Sequence, residues 1–328
     1  MIISRTPLRI SFCGGGSDLP SYYQNSAGMV VSTSINKYMY ITVNKKFDNL
    51  IRASYSITEF VKTPQQLKHE LIRESLLKLG IKGGIEITSI SDIPSKGTGL
   101  GSSSTYTVGL LKALHAYKGE FISPLKLSEE ACEIEINRCQ KPIGKQDQYI
   151  AAFGNLNSIR FNPDGTVIVD PIVCQPETKR RLENNLLLLY TNITRSSLSI
   201  LTSQNKQIIE NEEKRENLAK MVELAKQFQI SLEKNNLDQI GDLLNQNWEL
   251  KKQMTGGISN PLIDKWYRTA LKKGALGGKI LGAGGGGFLL LYAPRKKHKE
   301  ICRALPKLRP ISFGFEQEGS KIIYYSEK

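Results

Sequence analysis

The segment Pro94 to Ser104 (PSKGTGLGSSS) constrains the fold more than any other part of the chain. A β-branched stretch, residues 85–91, leads into it, and a helical pattern from about Ser103 to Tyr117 leads out. A strand that passes through a glycine-rich turn into a helix aims unpaired backbone N–H groups and a positive dipole end at one point. Such a point binds an anion. Gly97, Gly99 and Gly101 allow backbone to approach phosphate oxygens where a Cβ would forbid it. Pro94 and Leu100 frame the loop, and Ser102, Ser103 and Ser104 bring hydroxyls for phosphate or a divalent cation. No GxxxxGK[ST] occurs, Ser102 stands where a dinucleotide loop needs its last glycine, and HRD and DFG are absent. Taken alone, the loop is equally compatible with a serine-capped turn.

Two further glycine clusters accompany it. Pro7 to Pro20 (PLRISFCGGGSDLP) sets three glycines just before Asp18. A short carboxylate on a tight turn either accepts hydrogen bonds from two sugar hydroxyls or merely caps the turn. Gly277 to Gly287 (GGKILGAGGGG) runs directly into the apolar stretch Phe288 to Tyr292. A flexible hairpin is one account. Backbone set against a hydrophobic strand must pack, however, so close approach to another segment or to a ligand is better supported.

Between the clusters, residues 28–43 read as a strand. A helix is expected from Thr63 and Pro64, with Gln66 completing a capping box and Gly80 as the stop. Ser123 and Pro124 open another. Residues 186–190 read as a short buried strand, 197–271 as almost wholly helical, and 311–315 with 322–325 as a terminal pair. A boundary near residue 180, in the charged stretch Glu177 to Glu183, gives two α+β domains, 1–180 and 181–328.

A length of 328 residues suits two cores, and 40% hydrophobic with 23% charged residues is globular. The start lacks a signal peptide's apolar stretch, and no run is long enough to span a bilayer, so a soluble, cytoplasmic protein is expected. Five cysteines without a CxxC pair suggest neither a disulfide framework nor a zinc site. The net charge of +14 suits either nucleic acid or anionic substrates. Apart from Arg295 to Lys299 the basic residues are scattered, and no basic stripe interleaved with aromatics supports RNA binding.

The three glycine clusters, in this order and spacing, resemble the three motifs of the GHMP kinase superfamily, over Pro7 to about Phe288. The chain is similar in particular to the D-glycero-D-manno-heptose 7-phosphate kinase branch. Gly14 to Pro20 with Tyr22-Tyr23, Pro142 to Gln148, and Thr191 to Arg195 carry that likeness. Ser17 replaces the branch's usual Thr, and Asn192 stands where Gly is expected.

The resemblance implies an N-terminal ribosomal-protein-like domain and a C-terminal ferredoxin-like domain with a helical insertion at 203–271. It also implies ATP, Mg²⁺ and a sugar-phosphate substrate in the cleft between the domains. Asp147 then takes the acceptor proton, although local sequence alone favours a helix cap. Arg9 stabilises developing charge. Glu135 and Ser103 hold the metal; the bland alternative for Glu135 is a salt bridge to Arg138. Gly15, Gly16, Ser17, Asp18, Gly284 and Gly285 fall on the substrate side. Lys145 and Arg195 are candidates for the substrate's own phosphate, or ordinary surface charges. The competing readings are another sugar kinase of the superfamily, for instance for fucose, and a sensor that has lost catalysis. No histidine looks catalytic, and the sequence leaves the oligomeric state open.

Overall fold

A computed structural model describes residues 1–94, 97–194 and 197–326, the side chain of Ser197 excepted. Among them the strands form two sheets. The first contains β1 (Ile2–Cys13), β2 (Gly28–Lys45), β3 (Ile51–Ser54), β4 (Thr58–Val61), β5 (Ile85–Ser91), β6 (Leu156–Phe161) and β7 (Val167–Pro171). The second contains β8 (Leu186–Tyr190), β9 (Gly277–Ile280), β10 (Phe288–Tyr292) and β11 (Arg309–Ile311), in the antiparallel order β11-β8-β10-β9. β12 (Phe315–Glu316) and β13 (Lys321–Tyr325) then return to the first sheet, against β2 and β1. The expected terminal pair does not form: 311–315 is not one strand, since Ile311 ends β11 in the second sheet and Phe315 begins β12, and β12 and β13 each pair with a different N-terminal strand.

The helices are α1 (Pro20–Tyr23), α2 (Glu70–Lys78), α3 (Ser102–Tyr117), α4 (Pro124–Cys132), α5 (Gln146–Phe153) and α6 (Pro176–Asn185) in the first half. The second half has α7 (Ser197–Glu210), α8 (Glu212–Glu233), α9 (Ile240–Lys252), α10 (Pro261–Lys272) and α11 (His298–Ala304). The helix expected from Pro64 begins later than its capping box implies. Gln66 Oε1 does accept from the Thr63 N–H at 3.3 Å, but it closes a single 3₁₀ turn, Pro64–Gln66. α2 starts afresh at Glu70, capped by His69. Cys13 and Cys132 are buried, and all five thiols are free.

One core lies between the first sheet and α2 to α4, with Ile41, Val43, Leu76, Leu110 and Leu114. The other joins Leu8, Ile10 and Phe12 of β1 to α8, α9 and the second sheet, where Phe12 stacks on Phe228 at 5.0 Å. β1 serves both cores, and its register against β2 shifts by two residues between Pro7 and Leu8, where β2 passes over Asn36 and Lys37. Before it, Ser4 faces α3 and bonds the Gly109 carbonyl at 2.7 Å. Beyond it, the even residues turn into the second core, and Arg9 points at α5.

At the far end of α3, buried His115 bonds Glu120 at 2.9 Å through Nδ1 and Glu130 of α4 at 2.8 Å through Nε2. Glu130 chiefly, with Glu120, holds the imidazole above its ordinary pKa against the opposing effect of burial. Its stabilising contribution is thus complete below the unfolded imidazole's value of about 6.5 and is lost as pH rises through the folded value. Thermal melts of His115→Gln should lie a few degrees below wild type at pH 6, and the gap should close by pH 9.

Candidate active site

Three segments distant in sequence meet at the start of α3. Gly101 precedes the helix with φ +78°, and a Cβ there would sit 3.2 Å from both Arg9 Cγ and Asp147 Oδ2. A left-handed residue without a side chain is what permits this approach. The Arg9 guanidinium grips Asp147 with both arms, Nε to Oδ1 and Nη2 to Oδ2, each at 2.7 Å. Nη1 donates to the Gly99 carbonyl at 2.6 Å, and the Arg9 N–H donates to the Leu100 carbonyl at 3.1 Å. One residue thus ties the glycine loop to the carboxylate. The Arg9 side chain is 4% exposed, whereas Asp147 keeps 23%, so its carboxylate retains an open side. Asp147 lies in the first turn of α5 without capping it.

The third glycine cluster packs on this loop, meeting the expectation of close approach. A Cβ at Gly99 would strike the Leu281 carbonyl, and one at Gly287 the Thr98 carbonyl. The Gly285 N–H donates to the Ile258 carbonyl at 2.7 Å, and Gly284 lies against Ile258, so both are already bound within the protein. Within the loop, Gly97 has φ +69°, Leu100 is buried, and Ser102 Oγ bonds Thr98 Oγ1 at 3.3 Å. Ser103 is exposed, Ser104 is buried, and Pro94 sits at the exposed edge. The first N–H groups of α3 have no partner within the helix.

Glu135 is fully buried on a π-helical turn, where the Cys139 N–H reaches back to the Ile134 carbonyl at 2.9 Å. Its carboxylate accepts from Ser103 Oγ at 2.8 Å and from Gln148 Nε2 at 2.7 Å, with Lys141 Nζ 3.8 Å away. Arg138, the alternative partner, pairs with Glu133 and Glu74 instead. Burial pushes the Glu135 carboxyl above its ordinary range, against the pull of Lys141 and of its hydrogen bonds. A buried carboxylate with neutral direct partners, beside a hydroxyl at a helix start, fits a hard divalent cation completed by phosphate oxygens.

The Gly14–Asp18 turn closes the other side. Asp18 Oδ1 accepts from the Gly16 N–H at 2.9 Å, and Oδ2 from the Gln146 N–H at 3.2 Å, which docks the turn on the start of α5. Burial raises its pKa, and the Asp147 charge adds to the rise. Gly144 is glycine because a Cβ there would overlap the Asp18 carboxylate. The Ser17 hydroxyl is consumed inside the turn by the Gly14 and Met29 carbonyls. Beside Gly15, buried Ser11 Oγ and Gln146 Oε1 have no hydrogen-bond partner among the described residues, and both side chains lie 3.7 Å from where a Gly15 Cβ would stand.

Lys145 is turned away. Its ammonium bonds the Gly165 carbonyl at 2.9 Å and lies 4.8 Å from the centre of the Tyr23 ring. Arg195 lies outside the described residues. Asn192, where glycine was expected, has φ +56°, a conformation that asparagine tolerates, so the loop keeps the geometry expected of glycine. Sequence reasoning missed Lys141, Gln148, Lys251 and Lys279. Gln148 and Lys279 lie inside segments already singled out, and Lys141 directly precedes one, but only tertiary packing shows what their side chains bond.

Two family models match, the GHMP kinases N terminal domain over residues 66–155 and the GHMP kinases C terminal over residues 224–310. The chain is 30% identical to a D-glycero-alpha-D-manno-heptose 7-phosphate kinase of Campylobacter jejuni, across 98% of each chain. It is 25% identical to the bifunctional fucokinase/GDP-fucose pyrophosphorylase of Arabidopsis thaliana, over 91% of this chain but 30% of that one. Among solved structures, a D-glycero-D-manno-heptose 1-phosphate kinase from Bacteroides thetaiotaomicron superposes with a TM-score of 0.82 at 26% identity, covering both chains fully.

Arg9→Lys keeps the charge but loses the two-armed grip and the tie to Gly99. Turnover should fall by about 10²-fold or more with the protein still folded, as steady-state kinetics beside a thermal melt would record.

Proposed function

The chain belongs to the GHMP kinases and is an ATP-dependent sugar kinase; from that premise we propose that its acceptor is D-glycero-D-manno-heptose 7-phosphate. The transfer goes to the anomeric hydroxyl and yields the 1,7-bisphosphate, on the way to a nucleotide-activated heptose. The observation that carries the chemistry is the Arg9–Asp147 pair set directly against the start of α3. The likeness to the Campylobacter enzyme, through nearly the whole of both chains, supports the choice of sugar.

Phosphoryl transfer depends mainly on positioning and electrostatics. The N–H groups at the start of α3 receive the ATP phosphates, with Gly97 to Gly101 giving backbone access. Glu135 and Ser103 would hold Mg²⁺, which when bound neutralises phosphate charge. Asp147 accepts the proton of the attacking hydroxyl, and Arg9 orients that carboxylate and compensates its charge. Asp18 and the groups around Gly15 bind sugar hydroxyls. A molecule of two units, 1–180 and 181–328 apart from the returning strands, carries this site, in the cytoplasm.

A fucose-type acceptor is the second reading, favoured by the match to the fucokinase. An ADP-release assay with heptose 7-phosphate, unphosphorylated heptose, fucose and galactose separates the two. Turnover of the 7-phosphate alone, lost in Asp147→Ala, is expected. Turnover of fucose, or no need for the substrate phosphate, contradicts the heptose 7-phosphate reading.

A further inference from the structure

The glycine turn that carries Asp18 is held from outside its own sheet. Lys279 of β9 donates from Nζ to the Phe12 carbonyl at 3.1 Å. Lys251 of α9 donates to the Gly15 carbonyl at 3.2 Å and to Gln204 Oε1 of α7 at 3.0 Å. One turn earlier on α9, Asn247 Oδ1 accepts from the Gly14 N–H at 3.1 Å. Two polar backbone groups of the turn, and the Phe12 carbonyl near the end of the strand that leads into it, are thus bonded by side chains from the second half of the chain.

Both ammonium groups are buried, and burial lowers their pKa values, to about 8 for Lys251 and about 7 for Lys279. An isolated buried ammonium is costly, and packing alone would be better served by an apolar side chain. Asp18 opposes the lowering in both, and Cys13 does so for Lys279, while Lys251 and Arg9 add to it there. Gln204 Nε2 packs on Gly16, where a Cβ would come within 2.5 Å, so the clamp also uses the absence of a side chain there.

We propose that Lys251, Lys279 and Asn247 are positioning residues for the acceptor turn, setting the Asp18 carboxylate against α5 from the second unit. Their side-chain hydrogen bonds go to the glycine turn, to Gln204 and to the Phe12 carbonyl, and not to the Gly97–Gly101 loop or the start of α3, which form the ATP side. The inference rests on the reading of this turn as the acceptor side, and predicts an effect confined to that side.

The test compares wild type with Lys251→Met, Lys279→Met, Asn247→Leu and Asn247→Asp in the full chain. The acceptor is whichever sugar the wild type turns over, so a wrong sugar assignment shows in the wild type alone. Lys251→Met, Lys279→Met and Asn247→Leu should raise the acceptor KM by about tenfold, the scale of a lost charged or buried hydrogen bond. The ATP KM should stay within about twofold, since its side loses no bond. Asn247→Asp keeps the acceptor atom for the Gly14 N–H and should recover most of the loss. Should a lysine variant fail to fold, the Asn247 pair alone decides. An unchanged acceptor KM, a parallel rise in both KM values, or an Asn247→Asp variant no better than Asn247→Leu would overturn the assignment.

Discussion

The two-armed ion pair between Arg9 and Asp147 is the constraint on which the site's geometry depends. Asp147 begins α5, Gly99 and Leu100 precede α3, and Arg9 stands on β1. A carboxylate bound through both oxygens has little rotational freedom, and a guanidinium that also holds a loop carbonyl fixes the loop against it. On β1, Arg9 faces α5 while Leu8, Ile10 and Phe12 enter the second core, so the strand that carries the pair also builds that core.

The remaining charges follow from that assembly. Asp18 and Glu135 are buried carboxylates that bond the two neighbours of Asp147 in sequence, Gln146 and Gln148, and burial raises the pKa of each. Neither sits beside a strong ion pair: Glu135 has a lysine 3.8 Å away, and Asp18 is held by backbone N–H groups. Such arrangements are expensive for stability alone and are typical of sites that await charge from a ligand. The lysines beneath the glycine turn extend the pattern into the second unit. That region supplies contacts to the glycine turn as well as a core.

Much of this was legible in the sequence, for identifiable reasons. A strand, a glycine loop and a serine-rich helix start form a local pattern, so the loop and the helix start at Gly97 to Ser104 could be read directly. Ile85–Ser91 and Leu186–Tyr190 emerged with the expected bounds because their neighbours are strong breakers. The motif order led to Glu135, Asp147 and Arg9, although local sequence alone favoured a cap for Asp147 and a pairing with Arg138 for Glu135. What stayed hidden is tertiary. Lys251 shares an α9 face with Asn247 and Trp248, and nothing in the spacing says that this face meets a glycine turn more than two hundred residues earlier. Residues 311–315 and 322–325 read as a pair because they are close in sequence, yet Ile311 closes on β8 while β12 and β13 each found a longer partner in the first sheet. Lys145 read as either a phosphate ligand or a surface charge because it lies in a polar loop inside a motif, and folding sets its ammonium on the Gly165 carbonyl, through one of its three donors.

The central claim is that this site moves a phosphoryl group from ATP to the anomeric oxygen of a sugar already phosphorylated at its far end. Phosphorus NMR of the product formed from D-glycero-D-manno-heptose 7-phosphate, ATP and Mg²⁺ tests it most directly. The account predicts a second sugar-bound phosphorus coupled to the anomeric proton, formed in step with ADP. ADP with free phosphate and no new sugar ester, or a new ester on any other carbon, would contradict it.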